Sequence, residues 1–494
     1  MKIIRALIEG LKFVFLIIFV GWFFSPVRVE GEEFMFRRDV SRDIIDKLHI
    51  CTLPDLYDRD SVRVSEDLYH IAFTLTGENG QKYLVVDGKQ FGPFKKIATD
   101  SIIFSPDGKH VACHVESEGK KYWDLFLDGK ILAGYEAGMS HPSFSPDGRV
   151  FYTAWKIKDK PIVIVGNQMF DQCDGIAVDS VVFSKKSKAF AFIATKDKKT
   201  FAVINGKIGK GYAEISSPIV LSPDGRRSAY TARTIDHKWV VVLDGDEIKG
   251  YTSVRGPVFS DDGKHFAFCA TNDMGQCIVR DNIPGPFYDY FFSHLTSFSP
   301  DSQHLVYVGF KSGKQYVVVD GKPSQPYDVI KEILVSPDSR RICFEVFNIF
   351  LIKIHQGMVV CDGVEIPEKS YYDEFYPKRI YFSRNSEHLA FKARDGKKVF
   401  IVCDGKPSQS YLEENLWFSD GCFSPDSKYL GYKVREANGD MVIIDGTKGQ
   451  KFDAILASPD DKRNALIFDS PRFFHYLAVK GKDVFLIKEK IDEL

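Results

Sequence analysis

Ser297-Phe298-Ser299-Pro300-Asp301-Ser302-Gln303-His304-Leu305-Val306-Tyr307-Val308, followed shortly by Tyr316-Val317-Val318-Val319-Asp320-Gly321, carries one complete sentence of a repeated text. Ser299-Pro300-Asp301-Ser302 reads as a turn. Proline presets φ for the second position of a type I turn, and the Ser and Asp side chains offer partners to nearby backbone N–H groups. Residues 304–308 then read as a β-branched and aromatic strand, and Lys311-Ser312-Gly313-Lys314 as a polar loop. The second strand ends at Asp320-Gly321, a dipeptide that closes tight hairpins because both residues tolerate positive φ. Val317-Val318-Val319 does not alternate apolar with polar, which predicts a sheet covered on both faces. A further strand runs through Tyr327-Asp328-Val329-Ile330.

The same sentence recurs about every forty residues. Its marker serines are Ser105, Ser145, Ser222, Ser299, Ser336, Ser424 and Ser458, each followed by Pro-Asp, with weaker copies at Ser184, Ser260 and Ser383 and a decayed first copy at Ser65. Four short strands in forty residues, repeated at one period, predict an all-β chain: a β-propeller of about eleven four-stranded blades over residues 60–494. Propellers close with about four to eight blades, so eleven units favour two tandem rings, with one large ring as the alternative. The longest step, 47 residues from Ser336 to Ser383, contains an extra apolar segment at 347–352 and is the expected crossing between rings of seven and four. Five and six would give better sizes, with a boundary near Arg255.

A second register accompanies the turns: an aromatic stands six residues after the hairpin glycine, as in Gly88 and Phe94, Gly129 and Tyr135, Gly206 and Tyr212, Gly245 and Tyr251, Gly321 and Tyr327, Gly405 and Tyr411, and Gly446 and Phe452. A wedge between blades is the expected role; a ring of aromatics for ligand stacking is the functional alternative.

Phe-Ser-Pro-Asp-Gly-Lys, an apolar strand and then Val-Val-Asp-Gly resemble the propeller repeats of the TolB type, often described as WD-like, over roughly residues 60 to 491. The resemblance implies architecture and no particular reaction. Peptidases that share such repeats carry an α/β-hydrolase domain with a Gly-x-Ser-x-Gly turn, and this chain has no such motif. About thirty residues, between Glu32 and Asp60, remain outside repeats and leader, too few for a second core; they are expected to form a linker or N-terminal extension over 32–59.

Residues 1–31 differ in kind. Lys2 and Arg5 precede an apolar run centred on residues 13–20, the pattern of a secretory signal or of a retained membrane anchor over 11–24. Either places the propeller outside the cytoplasm, in a periplasm or at a cell surface. The chain of 494 residues carries 66 Lys and Arg against 67 Asp and Glu, so no basic excess favours a nucleic-acid partner.

No catalytic, cofactor-binding or metal-binding residue emerges. His70, His110, His265, His304 and His388 each follow a marker serine by five places, but intervening units carry other residues there and equivalent positions on separate blades are too far apart for one ion. A turn Asp has a sufficient structural task, and calcium, phosphate and dinucleotide loops are absent from the sequence. Cys269 and Cys277 flank one hairpin and could form a disulfide, whereas Cys361 and Cys403, just before Asp-Gly, read as small buried side chains. The sequence therefore predicts a non-enzymatic, exported propeller that presents a binding face to a protein or peptide, without a cofactor. The rival reading is a propeller enzyme, a lyase or glycan hydrolase, with its site at the central channel.

Overall fold

The computed structural model describes residues 40–494 except 120–122, 136–140, 150, 158–159, 167, 178–179, 293–294, 351–352, 367–373, 396, 413–420, 458–464 and 494. The expected leader, 1–31, and its apolar run, 11–24, lie outside the described residues. No helix among the described residues is long and apolar enough to cross a membrane.

The repeat folds as its turns require. Blade 7 shows the pattern: an innermost strand in two pieces (Tyr290–Phe291 and Ser297–Phe298), a second strand (Leu305–Lys311), a third (Lys314–Val319) and a short outer strand (Lys322–Pro323). All pairings are antiparallel. Asp320 and Gly321 both adopt positive φ, +48° and +82°, as the hairpin needs. Val317 and Val318 point to opposite faces and enter different interblade cores, which is why this strand lacks alternation.

Eleven such sheets occur among the described residues, blades 1 to 11 in chain order, opening at Arg63, Lys96, Ser143, Gly175, Glu214, Ser253, Tyr290, Val329, Glu374, Cys422 and Ala454. Each shares a buried apolar cluster with the next, from blades 1 and 2 (Ala72, Leu84 against Cys113, Phe126) through to blades 10 and 11 (Val442, Phe452 against Phe474, Tyr476). The cycle then closes. Leu477, Val484 and Leu486 of blade 11 pack on Leu68, Ile71 and Phe73 of blade 1.

Of the two expected arrangements, the structure has the single ring; the favoured pair of tandem rings is corrected. Two features account for the difference. The 47-residue step is a longer hairpin within blade 8, whose second and third strands, Ile342–Phe350 and Lys353–Cys361, have nine residues each, and not a crossing between rings. And the segment expected as a linker over 32–59 contains the strand Val40–Thr52, which pairs along Asp483–Glu493 as the outer strand of blade 11. N- and C-terminal parts of the unit thus build one sheet. Blade 11 also corrects the marker register: its inner piece Ile467–Phe468 turns into Phe473–Lys480 through Asp469-Ser470-Pro471-Arg472, whereas the Ser458 copy lies outside the described residues.

Candidate functional site

The repeated polar residues are placed for structure. Marker serines from Ser65 to Ser424 are buried. In blade 2, Ser105 donates to the Asp107 carboxylate at 2.7 Å and accepts from the His110 N–H at 3.0 Å, so one hydroxyl ties both ends of the turn. The Ser105 hydroxyl foremost, with the Lys109 ammonium and backbone N–H, lowers the Asp107 carboxyl to about 2. The five register histidines do not converge: each sits with its Nδ1 against the hairpin aspartate of its own blade, His70 on Asp87, His110 on Asp128, His265 on Asp281, His304 on Asp320 and His388 on Asp404, at 2.6–2.7 Å. Four of the rings stack at 6.2 Å on the Phe that precedes the next blade's marker serine: His70 on Phe104, His110 on Phe144, His265 on Phe298 and His388 on Phe423. Arg227 and Arg341 take the same place in blades 5 and 8 and lie over Phe259 and Phe382. No group of three or more His, Cys, Asp or Glu is placed to hold a metal ion among the described residues.

The cysteines depart from expectation. Cys269 pairs across the ladder with Ile278, and Cys277 with Ala270, one step out of register. They therefore face opposite sides of the sheet, in different cores, and both are free. Cys361 stands directly opposite Cys343, and these two form a disulfide. Reading Cys361 as an inert small side chain missed this, because cross-strand register is not visible from one strand alone.

The aromatic register is the feature that leads to a site. Phe94, Tyr212, Tyr327, Tyr411 and Phe452 are buried against the following blade, as the wedge reading expects. Tyr251 is half-buried and open to solvent. The outer strand of blade 5 is Asp246–Ile248; beyond it Gly250 takes φ +101°, and Tyr251 makes no ladder pair with the third strand. A groove of about 680 Å3 results. Its floor is Tyr212, Trp239, Val240 and Tyr251; its walls are the loop 234–238 of blade 5, Asn272 and Asp273 of blade 6, and Lys210 of blade 4. Ile235, on the first wall, is 63% exposed.

The charges of the groove are mostly paired. Glu247 accepts from Lys210 at 2.6 Å and meets Lys249 at 3.0 Å, and these bonds hold its carboxyl at about 2. Lys238 meets Asp236 at 3.1 Å. Burial, with neighbouring Tyr230 and Glu247 adding to it, raises the Tyr212 phenol well above its ordinary value, and burial raises Tyr251 likewise. The site is thus an aromatic trough with neutralised rims, suited to holding an apolar group between aromatic faces. Sequence reasoning found Tyr251 only as one member of a structural register, and nothing local set it apart: its spacing from Gly245 is the common one, and Gly also precedes Tyr135 and Tyr212.

Comparison with known proteins adds similarity at the level of solved structures. No protein-family model matches the chain, and no curated protein matches it. The chain is similar to TolB from Acinetobacter baumannii (13% identity over 54% of this chain and 79% of that one, TM-score 0.23) and to Kuenenia stuttgartiensis hydrazine synthase (13% identity over 53% and 94%, TM-score 0.27). A protein designated TolB from Agrobacterium tumefaciens is similar at 12% identity over 49% and 82%, with a TM-score of 0.24.

Proposed function

We propose that the chain is an exported, non-enzymatic β-propeller scaffold that binds a protein or peptide partner in the groove of blades 4 to 6. The observation that carries this reading is the half-open Tyr251 beside Trp239: it packs on Phe268 of the following blade as the register's other aromatics do, yet stays partly open to solvent in the groove. Aromatic side chains offer large, rigid contact area at low cost in conformational entropy, which is why they anchor binding surfaces. The apolar run of residues 11–24 supports export, with or without a retained anchor. The Cys343–Cys361 disulfide supports it too, because such bonds persist in oxidising compartments.

A photo-crosslinking side chain at position 235, on the groove wall, tests the binding reading in the native membrane fraction. One discrete partner should be captured there, its yield falling in a Tyr251→Ala background, while the same group at position 109, in a marker turn, captures none. Equal capture at both positions, or capture indifferent to Tyr251→Ala, counts against it. Fractionation tests export: full-length protein remaining in the cytosol with residues 1–31 intact and dispensable would end that part of the reading.

A further inference from the structure

Seven blades close their outer edge in one way. The residue five places before the hairpin's Asp or Asn pairs with the register aromatic or its equivalent: Lys82 with Phe94, Trp123 with Tyr135, Thr200 with Tyr212, Gln276 with Tyr288, Gln315 with Tyr327, Val399 with Tyr411 and Asp440 with Phe452. At Gln315 the exchange is reciprocal, its N–H donating to the Tyr327 carbonyl at 2.8 Å and its carbonyl accepting from the Tyr327 N–H at 2.9 Å. In blade 5 the corresponding residues are Trp239 and Tyr251, and they do not pair. The outer strand reaches only Val241, Val242 and Leu243.

Trp239 keeps its ladder position opposite Arg233, so its own N–H and C=O point outward, as those of Gln315 do, and they meet no hydrogen-bond partner among the described residues. Blade 3 has no equivalent opening, since Pro161 stands at this place and has no N–H. An unpaired donor and acceptor on one residue of a strand edge is a template for another strand. In blade 5 the template lies in the floor of the aromatic groove.

We propose that the groove takes an extended segment of a partner polypeptide, added to blade 5 as an edge strand that exchanges both backbone hydrogen bonds with Trp239 and lays an apolar side chain on Tyr251. The inference rests on the binding reading given above and specifies its occupant. Main chain is required because the edge asks for a carbonyl and an N–H from a single residue, which seven other blades obtain from their own outer segments. The charge of the groove adds a preference. Lys210, Lys238 and Lys249 are each paired, whereas Asp273 has no ion partner among the described residues, so a Lys or Arg beside the apolar residue is favoured.

The test selects binders to the full-length protein from a random heptapeptide display library and follows the Trp239 amide by hydrogen exchange with and without the best peptide. In the free protein, Trp239 should exchange at least about tenfold faster than Gln315, and bound peptide should slow it by about tenfold or more. Tyr251→Ala should weaken binding by about tenfold, Asp273→Asn should weaken basic peptides selectively, and N-methylation of the peptide residue facing Trp239 should abolish binding. Binding that is lost in Tyr251→Ala but leaves Trp239 exchange unchanged overturns strand addition while the groove reading stands. A Trp239 amide protected like Gln315 in the free protein overturns it as well, because the chain's own segment then closes the edge. No selectable peptide, or peptides indifferent to Tyr251→Ala and Asp273→Asn, overturns both.

Discussion

Asp320 serves three partners at once: one carboxylate oxygen accepts from the Leu305 N–H at 2.9 Å and from Arg280 at 3.1 Å, and the other meets His304 at 2.6 Å. Asp301, in the marker turn, accepts at its carboxylate from the Ser299 hydroxyl and the Gln303 N–H, with the Ser339 hydroxyl of the next blade also bonded to it. Removing Asp320 leaves the Leu305 strand N–H without its partner and takes one of several contacts from Arg280 of the neighbouring blade, so Asp320→Ala should cost about 2 kcal/mol and Asp301→Ala about 1 kcal/mol. Gly321→Val should cost about 1 kcal/mol or more, since φ of +82° suits no β-branched residue. Thermal unfolding of the three variants checks the order; an unchanged midpoint for Gly321→Val would contradict the hairpin assignment. Glu345 supplies a pH test. It is buried in the second strand of blade 8 with Oε1 lacking a hydrogen-bond partner, and burial raises its carboxyl from 4.5 to about 7. Folding therefore takes up a proton between those values, and stability falls as pH rises from 4.5 to about 7. Glu345→Gln should match wild type near pH 4 and exceed it by about 3 kcal/mol at pH 8, read by denaturant unfolding. For His70 the sign makes the charged form favourable. The Asp87 hydrogen bond raises it above 6.5, so the stabilisation is complete below that pH and lost as pH rises through the raised value.

The strand Val40–Thr52 is fastened by a buried pair. Arg42 donates to Glu489 at 2.8 Å and also to the carbonyls of Val442 and Thr447, and the second Glu489 oxygen accepts from Tyr476. Both side chains of the pair are almost fully buried, at 4% and 3% exposure. Truncating one partner leaves the other's charge without compensation, so Arg42→Met should cost about 3 kcal/mol, and Arg42→Met with Glu489→Leu should recover part of it. Denaturant unfolding reads both; equal loss in the single and double variants would contradict the coupling. This element also marks the limit of what the sequence carries. Turns such as Ser299-Pro300-Asp301 and Asp320-Gly321 are legible because their geometry is local. The pairing of Val40 with Glu493 is not, because a single strand says nothing about which distant edge it will join. The inferred crossing after Ser336 failed because part of the longer step is strand length: the second and third strands of blade 8 have nine residues each, and spacing alone does not tell a longer hairpin from a crossing. For the site, Tyr251 was visible as an aromatic in register, but its missing partner Trp239 appears only when the two edges are seen side by side.

At the scale of the whole unit, closure follows from ordinary packing repeated eleven times. Each blade hides its apolar faces against its neighbours, and blade 1 would leave Leu68, Ile71 and Phe73 uncovered unless blade 11 returned to them. The N-terminal strand makes that return part of the covalent chain. Blades 4, 5 and 6 stay consecutive in this ring, which is what assembles the groove from three blades. Single-particle electron microscopy of the purified protein tests the closed ring most directly, by counting blades around one centre. Class averages with eleven blades around a single axis are the expected result; two separate rings, of seven and four or of five and six blades, would contradict it.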